Sequence, residues 1–528
     1  MKVPFQLIGR TFLAGLAVMS AGASLAGPAA PQRAADNSNE PNKPAIRAGV
    51  LAFEVTCAAS LRNEPIKGRV YVMLASAGSG VEPRLGPNWF RPQPFFAKDV
   101  ENWRPGEPLQ IDSGADGFPS PLEEIEPGKY AIQAVARLNL DTHKIGDGEG
   151  NLYGPVVHTE LDPKRGCTVA LQIDHAVGPR AFKATERIKL VELPSPMLSA
   201  FHHRPIKHRA AVILPKESAR EWQAAKLPTV YIIPGFGGDH YMATAMADSP
   251  RMAYGNDFIR VVLDPDCGTG HHVFADSATN GPRGTALVEE FIPHIESSFP
   301  VLANPRARLL NGHSSGGWSS LWLQVAYPDF FGGTWSTSPD PVDFRDFQRI
   351  NLYASGENMF RDRDGKRRPI ARMGGAPALF YDRFCKMDDV IGWGGQLGSF
   401  EAVFSPLDQK GRPRKLWDRS SGAIDPEVAK AWEPYDIRLV LERNWPELGP
   451  KLKGKLHVIM GDVDTFYLEG AVKLLKESLA QLGSDAVVDV IAGRDHGNLL
   501  DAPLAGRINR EMHAAVQSVL AAQPPARD

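Results

Sequence analysis

The run Gly312-His313-Ser314-Ser315-Gly316 follows the pattern Gly-x-Ser-x-Gly. It lies between "RARLL", which reads as a strand, and "WSSLWLQVAYP", which reads as a helix. Small residues around a serine let a strand turn sharply into a helix, so that the hydroxyl stands exposed on strained backbone. The first N–H groups of that helix can meet a developing oxyanion. The chemistry expected is nucleophilic attack by Ser314, with the Ser315 N–H as one oxyanion donor. A serine hydroxyl needs a base. His496, in the loop "GRDHGN", can accept the proton, and an acid in "GDVDTFY" can orient the imidazole. Asp464 is preferred over Asp462, because Gly461-Asp462 begins the turn and the second aspartate reaches further across the sheet edge. Asp462 then reads as a turn cap. The second oxyanion donor is expected from "IIPGFGGDH", as the N–H of Phe236. Gly235, Gly237, His313 and His272 are the expected substrate contacts. The plain alternative is a Gly/Ser-rich turn without chemistry, and the strand before and helix after argue against it.

These residues need a frame. From about Arg187 onward, buried strands alternate with amphipathic helices. "TVYIIPGFGG", "FIRVVLDPD", "FFGGTWSTSPD", "KLHVIMGDVD" and "AVVDVIAGRDH" read as strands; "GTALVEEFIPHIESSFP" and "YLEGAVKLLKESLAQLG" read as helices. That alternation predicts a mostly parallel sheet with helices on both faces over 183–520. In such sheets chemistry gathers at the carboxyl ends of strands. Between about 340 and 452 the alternation breaks, and an insertion over the active edge, a candidate lid, is expected. Residues 46–178 carry short β-branched and aromatic runs separated by Gly, Pro and Asp. They predict an all-β, sandwich-like domain without a convincing helix.

The first 26 residues resemble a secretory signal. Lys2 and Arg10 precede or flank a short apolar run, Thr11 to Ala21, and Ser24 with Ala26 favours a cut after Ala26. Periplasmic or secreted localisation is therefore expected. Residues 27–45, rich in Pro, Ala and Asn, read as a disordered linker. No later run is apolar enough for a membrane span. A formal net charge of −2 argues against nucleic acid as a partner. The 4 cysteines allow two bridges, Cys57–Cys167 and Cys267–Cys385, or four buried thiols. Their spacing matches no zinc motif, and neither metal nor cofactor is expected.

The stretch from about Arg187 to Gln517 resembles the putative-esterase family of α/β-hydrolases. This family includes esterase D, feruloyl esterases, enterochelin-type esterases and the mycolyltransferase antigens. The resemblance rests on "VYIIPGFGGDH", "EEFIPHIESSFPV", "NGHSSGGWSSLWLQVAYPDFFGGTWSTSPD", "GDVDTFYLEGAVKLL" and "GRDHGN". It implies an α/β-hydrolase fold and an acyl-serine mechanism on an ester, with Ser314, Asp464 and His496 as triad. The substrate would be a small-molecule or polymer-linked ester. The long insertion departs from the compact members, so it leaves the substrate open, and the sequence sets no oligomeric state. Competing readings are an acyltransferase to a sugar or lipid alcohol, a serine peptidase of the prolyl-oligopeptidase kind, and an inert ligand-binding surface protein. The peptidase reading lacks the long repeated propeller it requires.

Weaker signals have bland readings beside the functional ones. His271 and His272 could line the acyl pocket or bind a metal, but adjacent residues on an extended chain point apart. His202, His203 and His208 flank a leading hairpin and read as solvated. "NLDTHKIGDGEGN" offers oxygen ligands without the EF-hand order and reads as a polar loop. Trp393, Trp417 and Trp432 form either a platform for an aromatic or sugar-linked ester or the insertion's own core.

Overall fold

Alternation of inward and outward side chains builds the first of two units. The computed structural model describes residues 46–47, 50–215, 226–250 and 258–522. The expected signal over 1–26 and linker over 27–45 lie outside the described residues. One unit comprises Met1–Asn139 and Lys144–Pro179, the other Leu140–His143 and Arg180–Asp528.

The first unit holds a four-stranded and a seven-stranded sheet. Val70, Val72 and Leu74 of one strand and Ile132, Ala134 and Ala136 of its antiparallel partner point into one core with Phe53 and Val55. Side chains alternate between the faces, and the intervening Tyr71, Met73 and Val135 are buried too, so both faces of these strands are covered. Strand Ala52–Cys57 pairs in parallel with Thr168–Ile173, so Cys57 faces Ile173. Cys167 therefore lies about 20 Å away along the strand, far beyond disulfide reach. All four cysteines are buried thiols, which corrects the two-bridge alternative.

The second unit is built on an eight-stranded sheet. Its strands are β1 (Ile188–Pro194), β2 (Lys207–Ile213), β3 (Thr229–Ile233), β4 (Ile259–Leu263), β5 (Arg308–His313), β6 (Gly333–Thr337), β7 (Leu456–Gly461) and β8 (Val487–Ile491). The order is β1-β2-β4-β3-β5-β6-β7-β8. Only β2 runs against its neighbours; the pairs from β4 to β8 are parallel. Strands β3 and β4, apolar but for Thr229 and Arg260, are buried along their whole length, as strands covered on both faces must be. Helix α1 (residues 283–298) supplies Leu287, Phe291 and Ile295 to one face. Residues Leu504, Ile508, Met512 and Val516 of the last helix, Ala502–Ala521, cover the other. This is the α/β-hydrolase arrangement. After β3 the chain leaves for β4 and returns on the other side as β5, so the ends of β3 and β5 flank a switch point.

The segment after β6 is more regular than its sequence suggests. It contains a hairpin (Pro369–Met373 with Ala376–Phe380) and helices Tyr381–Ile391, Gln396–Phe404 and Ile437–Leu452. Phe344, Phe347, Phe400, Phe404 and Trp432 form its aromatic centre. Phe404 also packs on Trp318 of helix α2 (Ser315–Ala326). Among the described residues no helix is long and apolar enough to cross a membrane.

Candidate active site

Strand β5 ends at His313 and α2 starts at Ser315, so Ser314 alone makes the turn. Its φ of 62° is a conformation that costs a non-glycine residue energy and persists only when the surroundings enforce it. The surroundings here are close-packed backbone. A Cβ on Gly312 would meet the Gly316 carbonyl oxygen at 2.0 Å, and one on Gly316 would meet the Ile233 oxygen at 1.9 Å. The Ser314 N–H donates to the Thr337 carbonyl at 3.0 Å, tying the turn to the end of β6.

The end of β3 lies alongside, since Ile233 pairs with Gly312. A Cβ on Gly235 would sit 3.1 Å from the Ser314 Cβ, so Gly235, which begins the turn carrying Phe236, packs against the serine. That turn is closed by the Gly238 N–H donating to the Gly235 carbonyl at 2.9 Å. Gly237 has a φ of 81° with open space where a Cβ would point, so conformation rather than crowding demands glycine there.

His496 and Asp464 meet at 2.7 Å, Nδ1 to Oδ2, with both side chains buried. Asp464 also accepts the Phe466 N–H at 2.8 Å. The imidazole packs between His313, at 4.6 Å, and Phe466, at 4.9 Å edge-on. Its Nε2 is buried and has no hydrogen-bond partner among the described residues. No hydrogen bond joins it to Ser314 here; such bonds are often long in the absence of substrate. Burial pushes the His496 imidazole towards the neutral form, but the Asp464 charge and hydrogen bond, with Asp340 behind them, hold its pKa above the ordinary value. Burial also opposes ionisation of Asp464, and the His496 charge and the hydrogen bonds outweigh it, holding the carboxyl below its ordinary range. Asp462 instead accepts the Gly493 N–H at 2.6 Å, at the turn after β8.

His313 points beneath His496 and bonds Thr337 Oγ1 through Nδ1 at 3.1 Å. Burial, with His496 beside it, pushes it down to about 3, so it is neutral. His271, not His272, reaches the glycine turn after β3. Its Nδ1 accepts the Val273 N–H at 3.1 Å, so Nε2 carries the proton and donates to the Pro234 carbonyl at 2.8 Å. His272 points the other way and lines a separate cavity with His208 and Arg283, which corrects the expectation that it contacts substrate. Alternation along an extended chain is the reason. His208 is buried as well, against the expectation of solvation, because β2 turns it inward onto Glu290 at 3.2 Å. Trp417 and Trp432 are core residues, whereas Trp393 is 49% exposed.

Asp340 escaped the sequence reading. The Ser315 hydroxyl donates to its Oδ2 at 2.5 Å, and its own N–H donates to the Ser314 carbonyl at 3.3 Å. Burial, partly offset by the Ser315 bond, lifts its carboxyl to about 6. The signal was present: "STSPD" ends β6 at the same sheet edge that presents Asp464. The arrangement unites a strained serine, a carboxylate-bound imidazole and a glycine turn. These are the parts of nucleophilic acyl transfer.

A family model described as "Putative esterase" matches residues 205–469. No curated protein matches the chain. Among solved structures, a ferulic acid esterase is 14% identical with a TM-score of 0.39, covering 62% of this chain and 99% of its own. A fluorophosphonate-binding serine hydrolase of Staphylococcus aureus is 13% identical with a TM-score of 0.38, covering 62% and 99%. An S-formylglutathione hydrolase from Agrobacterium tumefaciens is 13% identical with a TM-score of 0.37, covering 65% and 98%.

Proposed function

The chain belongs to the putative-esterase family, as an ester hydrolase of the α/β-hydrolase fold, and from that premise we propose that it is an exported serine esterase working through an acyl-enzyme. Ser314 Oγ attacks the ester carbonyl while His496 Nε2 takes its proton. Asp464 orients the imidazole and stabilises the imidazolium. The N–H groups of Phe236 and Ser315 meet the tetrahedral oxyanion. His496 returns the proton to the departing alcohol, leaving an acyl-Ser314. Water, deprotonated by His496, then attacks the acyl carbonyl; as the second tetrahedral intermediate collapses, His496 returns that proton to the departing Ser314 Oγ and the carboxylic acid is released.

The observation that carries this reading is the buried His496–Asp464 pair. Its imidazole packs on the residue preceding the strained Ser314 and keeps Nε2 without a partner. A fluorophosphonate probe should label wild-type protein once, on the Ser314 peptide by mass spectrometry, with loss of aryl-ester hydrolysis. Labelling elsewhere, or hydrolysis that persists in fully labelled protein, would refute it. Export rests on the basic start, the short apolar run and the small residues before Gly27. Amino-terminal sequencing of protein from the periplasm or medium should begin at Gly27.

A further inference from the structure

We propose that the second unit carries a binding site for a small monocarboxylate, separate from the Ser314 turn, in which the Arg283 guanidinium receives the anion. The site is a cavity of about 130 Å³. None of Ser314, His496, Asp464 or the Phe236 turn lines it. A single water needs about 10–15 Å³ of such space, so there is room for several waters or one acid of a few heavy atoms. Pro205 and Lys207, both exposed, lie on its wall, so it opens to solvent.

Arg283 is 9% exposed. Its Nε–H donates to the Asn280 carbonyl at 3.1 Å, and its two terminal nitrogens have no hydrogen-bond partner among the described residues. No salt bridge reaches this buried guanidinium among the described residues, Asp141 and Asp264 acting on it only from a distance, and an anion at its open edge relieves the cost of burial. Burial holds its pKa below the ordinary value although Cys267 and Asp141 act the other way.

The carboxylates of the wall are occupied by other donors. Asp264 accepts from His240 at 2.9 Å and from the Asp266 N–H at 3.2 Å. Asp266 accepts Thr142 Oγ1 at 2.6 Å and meets His143 Nδ1 at 2.5 Å. Asp141 pairs with Arg204 at 2.6 Å. The other cations of the wall, Lys207 and Arg209, share Glu192 at 3.6 and 3.0 Å. Burial keeps His208 and His272 neutral. Arg283 is thus the wall's buried cation without a carboxylate.

Geometry and charge select the ligand class. Two coplanar N–H groups match the two oxygens of a carboxylate. One negative charge balances one guanidinium, whereas the three nearby carboxylates repel a dianion such as phosphate. Phe274 and Phe291 complete the wall and suit a short hydrocarbon end.

The test uses the full chain and acetate, followed by relaxation of 13C-labelled acetate. The Kd should fall between about 0.05 and 5 mM, the tight limit being the ceiling for a four-atom ligand. Arg283→Lys should weaken binding at least tenfold and Arg283→Met should abolish it, while Ser314→Ala leaves it unchanged. No binding by wild type up to 20 mM, unchanged binding in Arg283→Met, or tighter binding of phosphate than acetate overturns the proposal. Should Arg283→Met fail to fold by circular dichroism, the Arg283→Lys and phosphate comparisons decide it. Because Ser314 is not needed for this binding, failure here leaves the esterase reading intact, and failure of that reading leaves this one.

Discussion

Two buried histidine–carboxylate pairs in the same unit behave in opposite ways. At the sheet's carboxyl edge, Asp464 lifts His496 above the ordinary histidine value. On β2, burial pushes His208 down to about 4 although Glu290 lies 3.2 Å away. The difference lies in what else each carboxylate serves and which charges surround the ring. Asp464 Oδ2 faces His496 at 2.7 Å, with Asp340 adding a second negative charge. Glu290 Oε2 also takes the Ser195 hydroxyl at 2.5 Å, its Oε1 takes the Met197 N–H at 2.9 Å, and Arg283 adds a positive charge beside His208. Burial lowers both rings, and the carboxylate together with the charges around it overcomes that at His496 but not at His208.

The largest expected effect breaks the first region outright. Ser314→Ala should lower kcat on an aryl ester by on the order of 10⁴-fold or more with unchanged circular dichroism. Asp464→Asn should cost about 10³–10⁴-fold in kcat, through loss of imidazole orientation, measured on the same ester. Glu290→Gln is its counterpart. Its kcat should stay within about twofold of wild type, while stability falls by about 1–2 kcal/mol from weakened bonds to Ser195 and Met197, read by denaturant titration. An equal activity loss in both variants would erase the contrast.

The pH profile sharpens it. Protonated His496 cannot accept the Ser314 proton, so kcat/KM should fall on the acid side with an apparent pKa above 6.5. Asp340→Asn removes a negative charge near His496 and should move that limb to lower pH. The same variant tests stability. The folded Asp340 carboxyl is raised from 3.8 to about 6, so the stability it supports is greatest when protonated and declines as pH rises between those values. Asp340→Asn should therefore unfold at higher denaturant than wild type at pH 8, by roughly 2–3 kcal/mol, with the gain gone below about pH 4. The wild-type Tm against pH provides the reference curve.

The serine turn was legible because its demand is local: small residues, a strand before and a helix after. The contact between Asp464 and His496 was legible because both residues follow the next strands in order. Asp340 was equally placed by "STSPD", but a carboxylate beside a proline reads first as a turn. His208 and Arg283 were not legible. Their burial depends on β2 and α1 lying against each other, which no window of sequence contains. The segment after β6 misled for another reason. Helix Gln396–Phe404 buries residues around most of its circumference, so it lacks the one-sided stripe that announces a surface helix.

The parallel pairing of Ala52–Cys57 with Thr168–Ile173 bears on timing. The first long strand of that unit pairs on one side with Leu109–Ile111, but its other neighbour is one of the unit's last strands. A chain emerging from the ribosome cannot close this sheet until nearly the whole unit has been made. Bringing such distant strands together carries a loop-closure cost before any contact compensates it, and folding is slow accordingly. During that interval the nascent unit offers open strand edges, and what holds it soluble then must act before its own hydrogen bonds do.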